Sequence, residues 1–369
     1  MKNNFELVIK ATIIVFFISQ SLFGQKAEKP VQNNLNDYGI IQFISTTEGA
    51  PENIIKLDNN SQILYECING CTREKLKNEG IHFNESQLRL LTNWRLLKKE
   101  KDTYQTDFPV LNFSQTKALR EKTKIIAKNL GQILEEDVQK LEEELKQRNR
   151  AENIYSILFS YIIDGIWNKF EKRGLIDNRE VTAEHPFWDG EIWALFPKRD
   201  FHCGTNKISD KGIKFLVNWS PRTIKNMIPF VSDWKNLIKM FDNYIDSGKV
   251  FNPKAKEVFE SYNLFNDKGI FTIPIIVEND DDELFKVCDI ISNKIAENVN
   301  KLMDLNSLTK QFNFSGNKQT LVIVYHEMMW DLLKYFEDKN LITKPVAFSD
   351  PENTKPQDIS NLIFIVRSE

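Results

Sequence analysis

The apolar pattern of the chain changes period within residues 85–111. Leu88, Leu91, Trp94 or Arg95, and Leu97 recur at helical spacing; residues 98–102 are polar, and residues 104–111 alternate as a strand does. The spacing predicts a helix, a tight turn and a short hairpin. Upstream, residues 72–79 carry a short helical pattern closed by Gly80. Residues 81–84 form a connector in which Asn84 is placed to N-cap the next helix. Residues 38–45 alternate as a strand, 46–52 read as a loop, and a helix is expected at 53–57 or 61–68.

Beyond the hairpin, residues 114–150 lack proline and contain one breaker, Gly131. Leu119, Ile126, Leu130, Ile133, Leu134, Val138, Leu141 and Leu145 form a stripe at helical spacing opposite a Lys- and Glu-rich face. The stripe drifts from a strict heptad, so it predicts packing on the chain's own body over a self-associating coiled coil. Residues 152–172 are apolar almost all round and predict a central buried helix, in which Asp164 needs a partner or a raised pKa.

The second half runs in a similar order. Helices are expected at 232–247 and 253–259, a second hairpin at 264–276, a long helix at 283–305 and an apolar helix at 320–338. Pro274 follows Pro109, and Asp267 follows Asp102, by the same interval of 165 residues. FEKRGLI at 170–176 is echoed by FEDKNLI at 336–342, and each half closes on a strand, 213–219 and 362–366. This predicts a duplicated unit, 37–222 and 223–369, with a ligand cleft between the copies. The fold class is therefore α+β and helix-rich, with a long amphipathic helix and a buried helix in each repeat.

The stretch LLTNWRLLKKEKDTYQTDFPVL resembles winged helix-turn-helix domains, many of which bind DNA. The resemblance covers about 40 residues and rests on apolar spacing and the TDFP wing. It implies two tandem winged-helix-like repeats and, for a DNA binder, contacts through Arg89, Arg95, Lys98 and Lys99, with Lys101 beside them. Against nucleic acid stand the net charge of −3 and the acidic run at 279–283.

The N-terminus weighs further against it. Lys2 and Lys10 precede an apolar run ending at Phe17 or Phe23, followed by Gly24 and Gln25. Residues 1–24 thus read as a secretory signal peptide cleaved near Gly24, with 25–36 a flexible lead-in. The run is shorter than the ~20 residues that span a bilayer, and no later stretch is long and apolar enough, so the mature chain is expected to be soluble and exported to the periplasm or beyond. The alternative is an uncleaved anchor that leaves a winged-helix regulator inside the cell. Export would place the four cysteines in an oxidising compartment. Cys67 and Cys71 flank an Asn-Gly turn and could close a small disulfide loop; Cys203 and Cys288 could pair, and four buried thiols are the other reading. CxxxC with His82 lacks a second ligand pair for zinc.

The candidate chemistry lies in an insert at 184–206 that the second half lacks, EHPFWDGEIWALFPKRDFHCGTN. His185 and His202 with Asp189 or Glu191 are metal-ligand types, and Cys203 beside a histidine is a nucleophile type, but neither pattern has diagnostic spacing. Trp188, Trp193 and Phe196 make the same stretch the expected contact surface of a binding module. The HExx run at His326 lacks the second histidine of a zinc protease, since Trp330 holds that place, and it reads as structural. The run at 279–283 reads as helix N-capping. No phosphate-cradling loop, no GxSxG elbow and no cofactor motif is present in the sequence. The sequence thus points to an exported binding or interaction protein for an unknown protein or small-molecule partner. The alternatives are an exported hydrolase using the insert and a membrane-anchored DNA regulator.

Overall fold

The computed structural model describes residues 34–47, 49–210, 212–224, 257, 260–264 and 271–368. The expected helix at 232–247, all of that at 253–259 but residue 257, residues 265–270 of the expected second hairpin and the expected N-terminal leader lie outside the described residues. The described chain is helix-rich α+β and is built on two hydrophobic cores joined by one sheet.

The smaller core follows the path expected from 72–111. Strand β1 (Gly39–Thr46) leads to α1 (Pro51–Ile55) and α2 (Asn60–Glu66), then β2 (Cys71–Thr72), α3 (Arg73–Asn78), α4 (Glu85–Asn93) and the hairpin β3 (Leu97–Glu100) and β4 (Thr103–Thr106). Helix α4 begins where the sequence placed it, because Asn84 Oδ1 accepts from the Gln87 amide at 2.8 Å while Gln87 Oε1 accepts from the Asn84 amide at 3.1 Å. It ends as the chain turns through Arg95 at φ +56°. Strand β4 lies between β2 and β3, antiparallel to both. Leu88 and Leu91 of α4 pack with Ile63, Leu64, Leu76 and Tyr104 beneath it.

The larger core is helical. After β5 (Val110–Leu111), α5 (Phe113–Gln147) runs unbroken for 35 residues behind a second capping box, Asn112 with Gln115. The stripe read from the sequence is its buried face, apart from Ile133, which is exposed. Helix α5 packs against α7 (Glu283–Leu302) and against α9 (Asn317–Asp338), with α8 (Leu305–Phe312) between those two in sequence. Gly131 does not break α5. A Cβ placed there would sit 2.3 Å from Tyr335 Cδ1, so the glycine lets α9 approach.

The buried helix at 152–172 departs from its expected form. Here α6 (154–172) is α-helical only at Ile154–Ile157 and Trp167–Lys172. Between them lie a π-helical stretch, Leu158–Ile163, and a 3-10 turn, Asp164–Ile166. Within it Ser160 donates to the Ser156 carbonyl at 2.9 Å and Tyr325 to the Ile163 carbonyl at 2.9 Å, so side chains enter the helical ladder where it changes pitch.

The insert is a structural strand, β6 (Trp188–Leu195). It lies between β1 and β5, antiparallel to β1 and parallel to β5. Alternate side chains enter different cores: Trp188, Ile192 and Ala194 join the smaller one, Trp193 and Leu195 the larger. Strands β7 (Gly204–Asp210) and β8 (Ile213–Trp219) then pair, and the last strand, β10 (Ile363–Ser368), inserts between β8 and β9 (Ile275–Glu278). That sheet and the larger core draw on both sides of the expected 222/223 division, so described residues of both stretches pack into one body. The short α10 (Val346–Ser349) completes the described helices. No helix among the described residues is long and apolar enough to cross a membrane.

Candidate functional site

Helix α9 is apolar for most of its circumference, yet it carries Glu327 and Asp331 one turn apart on the side facing α5. Glu327 is 2 % exposed, and a carboxylate so buried requires charged partners. Two arginines supply them. Arg120 Nε, from α5, and Arg199 Nε, from the loop after β6, each donate to Glu327 Oε2 at 3.0 Å. Arg199 Nη2 also donates to the Glu327 carbonyl at 2.9 Å, and its Nη1 stands 3.6 Å from Asp331 Oδ1. Asp331 accepts from Thr123 Oγ1 at 2.5 Å. Burial pushes its carboxyl above the usual range, with Arg199 pulling it back.

Above this network opens a cleft of about 380 Å³ between the 197–201 segment and α9. Arg120, Arg199 and Asp331 form part of its lining, while Tyr155, Phe201 and Trp330 supply aromatic surface and Lys198, Lys334 and Lys344 supply cations. The Phe201 and Trp330 rings meet edge to face at 6.5 Å, and Lys344 Nζ sits 4.2 Å from the Phe201 centroid. Lys344 reaches Glu337 at 3.7 Å, and Lys334 pairs with Asp338. The volume falls in the range of small-ligand sites.

The residues singled out from the sequence are dispersed. His185 contacts Arg95 and lies 3.4 Å from Asp189, beside a shallow depression lined by acidic and polar side chains. Glu191 accepts from Gln319 at 2.6 Å, and burial raises its carboxyl. His202 is exposed, with partial desolvation of its ring lowering its pKa. The adjacent Cys203 is buried, and desolvation pushes its thiol well above the usual value, the wrong direction for a nucleophile. Among the described residues no group of three His, Cys, Asp or Glu side chains is placed to hold a metal.

The expected aromatic contact surface is also redirected. Trp193 is wholly buried and Trp188 is 5 % exposed, its Nε1 donating to the Trp94 carbonyl at 2.6 Å. Phe196 packs partly buried on the smaller core. The insert does reach a cleft, but through its later residues, Pro197 to Phe201. At the hairpin Arg89, Lys98 and Lys99 are exposed, whereas Arg95 is half-buried, engaged by His185 and 3.9 Å from Asp189. Cys67 and Cys71 are buried free thiols, not a disulfide, and burial pushes Cys67 up to about 12. The turn between them is closed by the Gly70 amide donating to the Cys67 carbonyl at 3.1 Å. Asp282 confirms the capping role of the acidic run, accepting from the Leu284 amide at 3.0 Å and from Arg148 at 2.6 Å.

A second enclosed group surrounds His326. Its ring stacks on Trp167 at 4.5 Å and meets Trp193 and Phe43 edge-on, and Nδ1 bonds the Val322 carbonyl at 2.8 Å. Burial pushes its pKa down to about 4. The ring is neutral at ordinary pH and serves as a packing element. No protein-family model matches the chain, and neither a curated protein nor a solved structure matches it.

Proposed function

We propose that this chain is an exported binding protein that takes a small-molecule ligand in the cleft between the 197–201 segment and α9. One observation carries the reading: a ligand-sized cleft whose floor is a buried, mutually fixed set of charged side chains. Such a floor holds its donors in place before a ligand arrives, which reduces the ordering cost of binding. Catalysis receives no comparable support, because Cys203 is a desolvated thiol and His185 is engaged with Arg95 and Asp189. The leader at 1–24 supports export.

Two measurements test the proposal. The N-terminus of the native protein, read by intact mass in the exported fraction, is expected near Gln25; a chain retaining Met1 in the cytoplasmic fraction overturns export. A thermal-shift screen of small molecules is expected to give stabilising hits that vanish in Asp200→Trp, which fills the mouth of the cleft from an exposed position. Hits that survive that substitution place binding elsewhere and overturn the site.

A further inference from the structure

We infer that the group recognised in this cleft is an oxyanion, a carboxylate or a phosphate monoester, carried on a planar apolar body. The inference rests on the reading of the cleft as a binding site and specifies its ligand. The argument starts from which donors are already used. Glu327 Oε2 takes the Nε of both arginines at 3.0 Å, fixing the planes of the two guanidinium groups. Arg199 spends Nη2 on the Glu327 carbonyl, and its Nη1 is beyond hydrogen-bond range of Asp331. Arg120 has neither terminal nitrogen engaged among the described residues, and its side chain is 17 % exposed where it lines the cleft.

The charges around these donors decide the sign of the ligand. Glu337 is matched by Lys344, Asp331 by Thr123 and Arg199, and Glu327 by both arginines. Lys198, exposed on the same wall, has no ion-pair partner among the described residues. The acids on the floor of the cleft are therefore occupied; Asp200, exposed at the mouth, has no ion-pair partner among the described residues and offsets Lys198 in formal charge, so the sign is decided by the guanidinium edge that Arg120 leaves available. A fixed guanidinium edge with two free N–H donors matches an oxyanion in bidentate geometry, and a nearby lysine adds a point charge. Phe201 and Trp330, crossing edge to face at 6.5 Å, offer apolar surface for a flat body attached to that anion.

The test is calorimetric titration of the mature full-length chain with phenyl phosphate, benzoate, inorganic phosphate and benzyl alcohol, at low and high salt. The expected result is that phenyl phosphate or benzoate binds at least about tenfold more tightly than benzyl alcohol, and that binding weakens as salt rises. Tighter phenyl phosphate assigns a phosphate ligand, and tighter benzoate a carboxylate. Lys198→Ala, outside the buried network, is expected to weaken the anion several-fold. Arg120→Lys keeps a charge beside Glu327 but loses the planar fork, and is expected to weaken it by about tenfold or more with the unfolding transition retained. If benzyl alcohol binds as tightly as the anions and Asp200→Trp abolishes both, the cleft reading stands and the oxyanion is overturned. If no probe binds, or if Asp200→Trp leaves binding unchanged, both readings fall.

Discussion

Replacing Glu327 by glutamine removes the one full negative charge on which two guanidinium groups converge, with little change in volume. The Glu327 side chain is 3 % exposed, and those of Arg120 and Arg199 are 17 % and 20 % exposed, so water can do little to replace the lost charge. The substituted amide keeps an oxygen for one arginine but also presents an NH₂ donor among donors. Breaking a buried ion pair by removing one partner costs about 3–5 kcal/mol. Asp331, close to Arg199, offsets part of this. At about 1–2 °C per kcal/mol for a chain of this length, the expected fall in Tm for Glu327→Gln is roughly 3–10 °C. Urea unfolding followed by circular dichroism gives the free energy, and an unchanged slope would show that the native and unfolded states keep their surface difference. The triple substitution Glu327→Leu, Arg120→Met, Arg199→Met is expected to regain most of the loss, since well-packed apolar groups replace such a network at little cost. A loss below about 1 kcal/mol in Glu327→Gln would refute the claim that this network holds α5, α9 and the 199 loop together.

Other perturbations separate packing from charge. Gly131→Ala should destabilise by about 1–3 kcal/mol despite alanine's better helix propensity, because the methyl meets the Tyr335 ring; a gain in Tm would show that the helices can move apart without cost. His326 is pushed down from 6.5 to about 4, so on acidification the unfolded chain binds a proton that the folded chain refuses. Stability present above pH 6.5 is therefore lost as pH falls toward 4, by roughly 3 kcal/mol in total, and His326→Phe should flatten that limb; an unchanged pH profile would contradict the neutral buried ring. With thiols reduced, Ellman's reagent should label none of the four cysteines quickly in the native state and all four in urea. Rapid native labelling of Cys203 would reopen the nucleophile reading.

The small core was legible because its signals are local. Asn84 and Gln87 cap α4 within four residues, and the change of period after 97 marks the hairpin, although Leu97, read with the helix, opens β3 and residues 98–100, read as turn, belong to that strand. The stripe on α5 was legible for the same reason. Strand β6 was misread as a surface because its apolar residues enter two cores, Trp188 one and Trp193 the other, while the partly buried Asp189 and Glu191 between them give the stretch the look of a polar surface. The site was not legible at all. Glu327 was read only as part of an incomplete HExxH run, and its partners Arg120 and Arg199 lie 207 and 128 residues away, with no local pattern that selects them from the other cations. The change of pitch in α6 was likewise hidden, since an all-round apolar run reads the same for α and π geometry. The expected duplication rested on local order alone, whereas the sheet that joins residues on both sides of the 222/223 division depends on long-range pairing of β8 with β10.

A crystal structure of the protein grown with phenyl phosphate tests the central claim most directly. The account predicts the phosphoryl oxygens within hydrogen-bond distance of the Arg120 terminal nitrogens and near Lys198, with the phenyl ring against Phe201 and Trp330. An empty cleft at saturating ligand, or the same molecule bound away from Arg120, would contradict it.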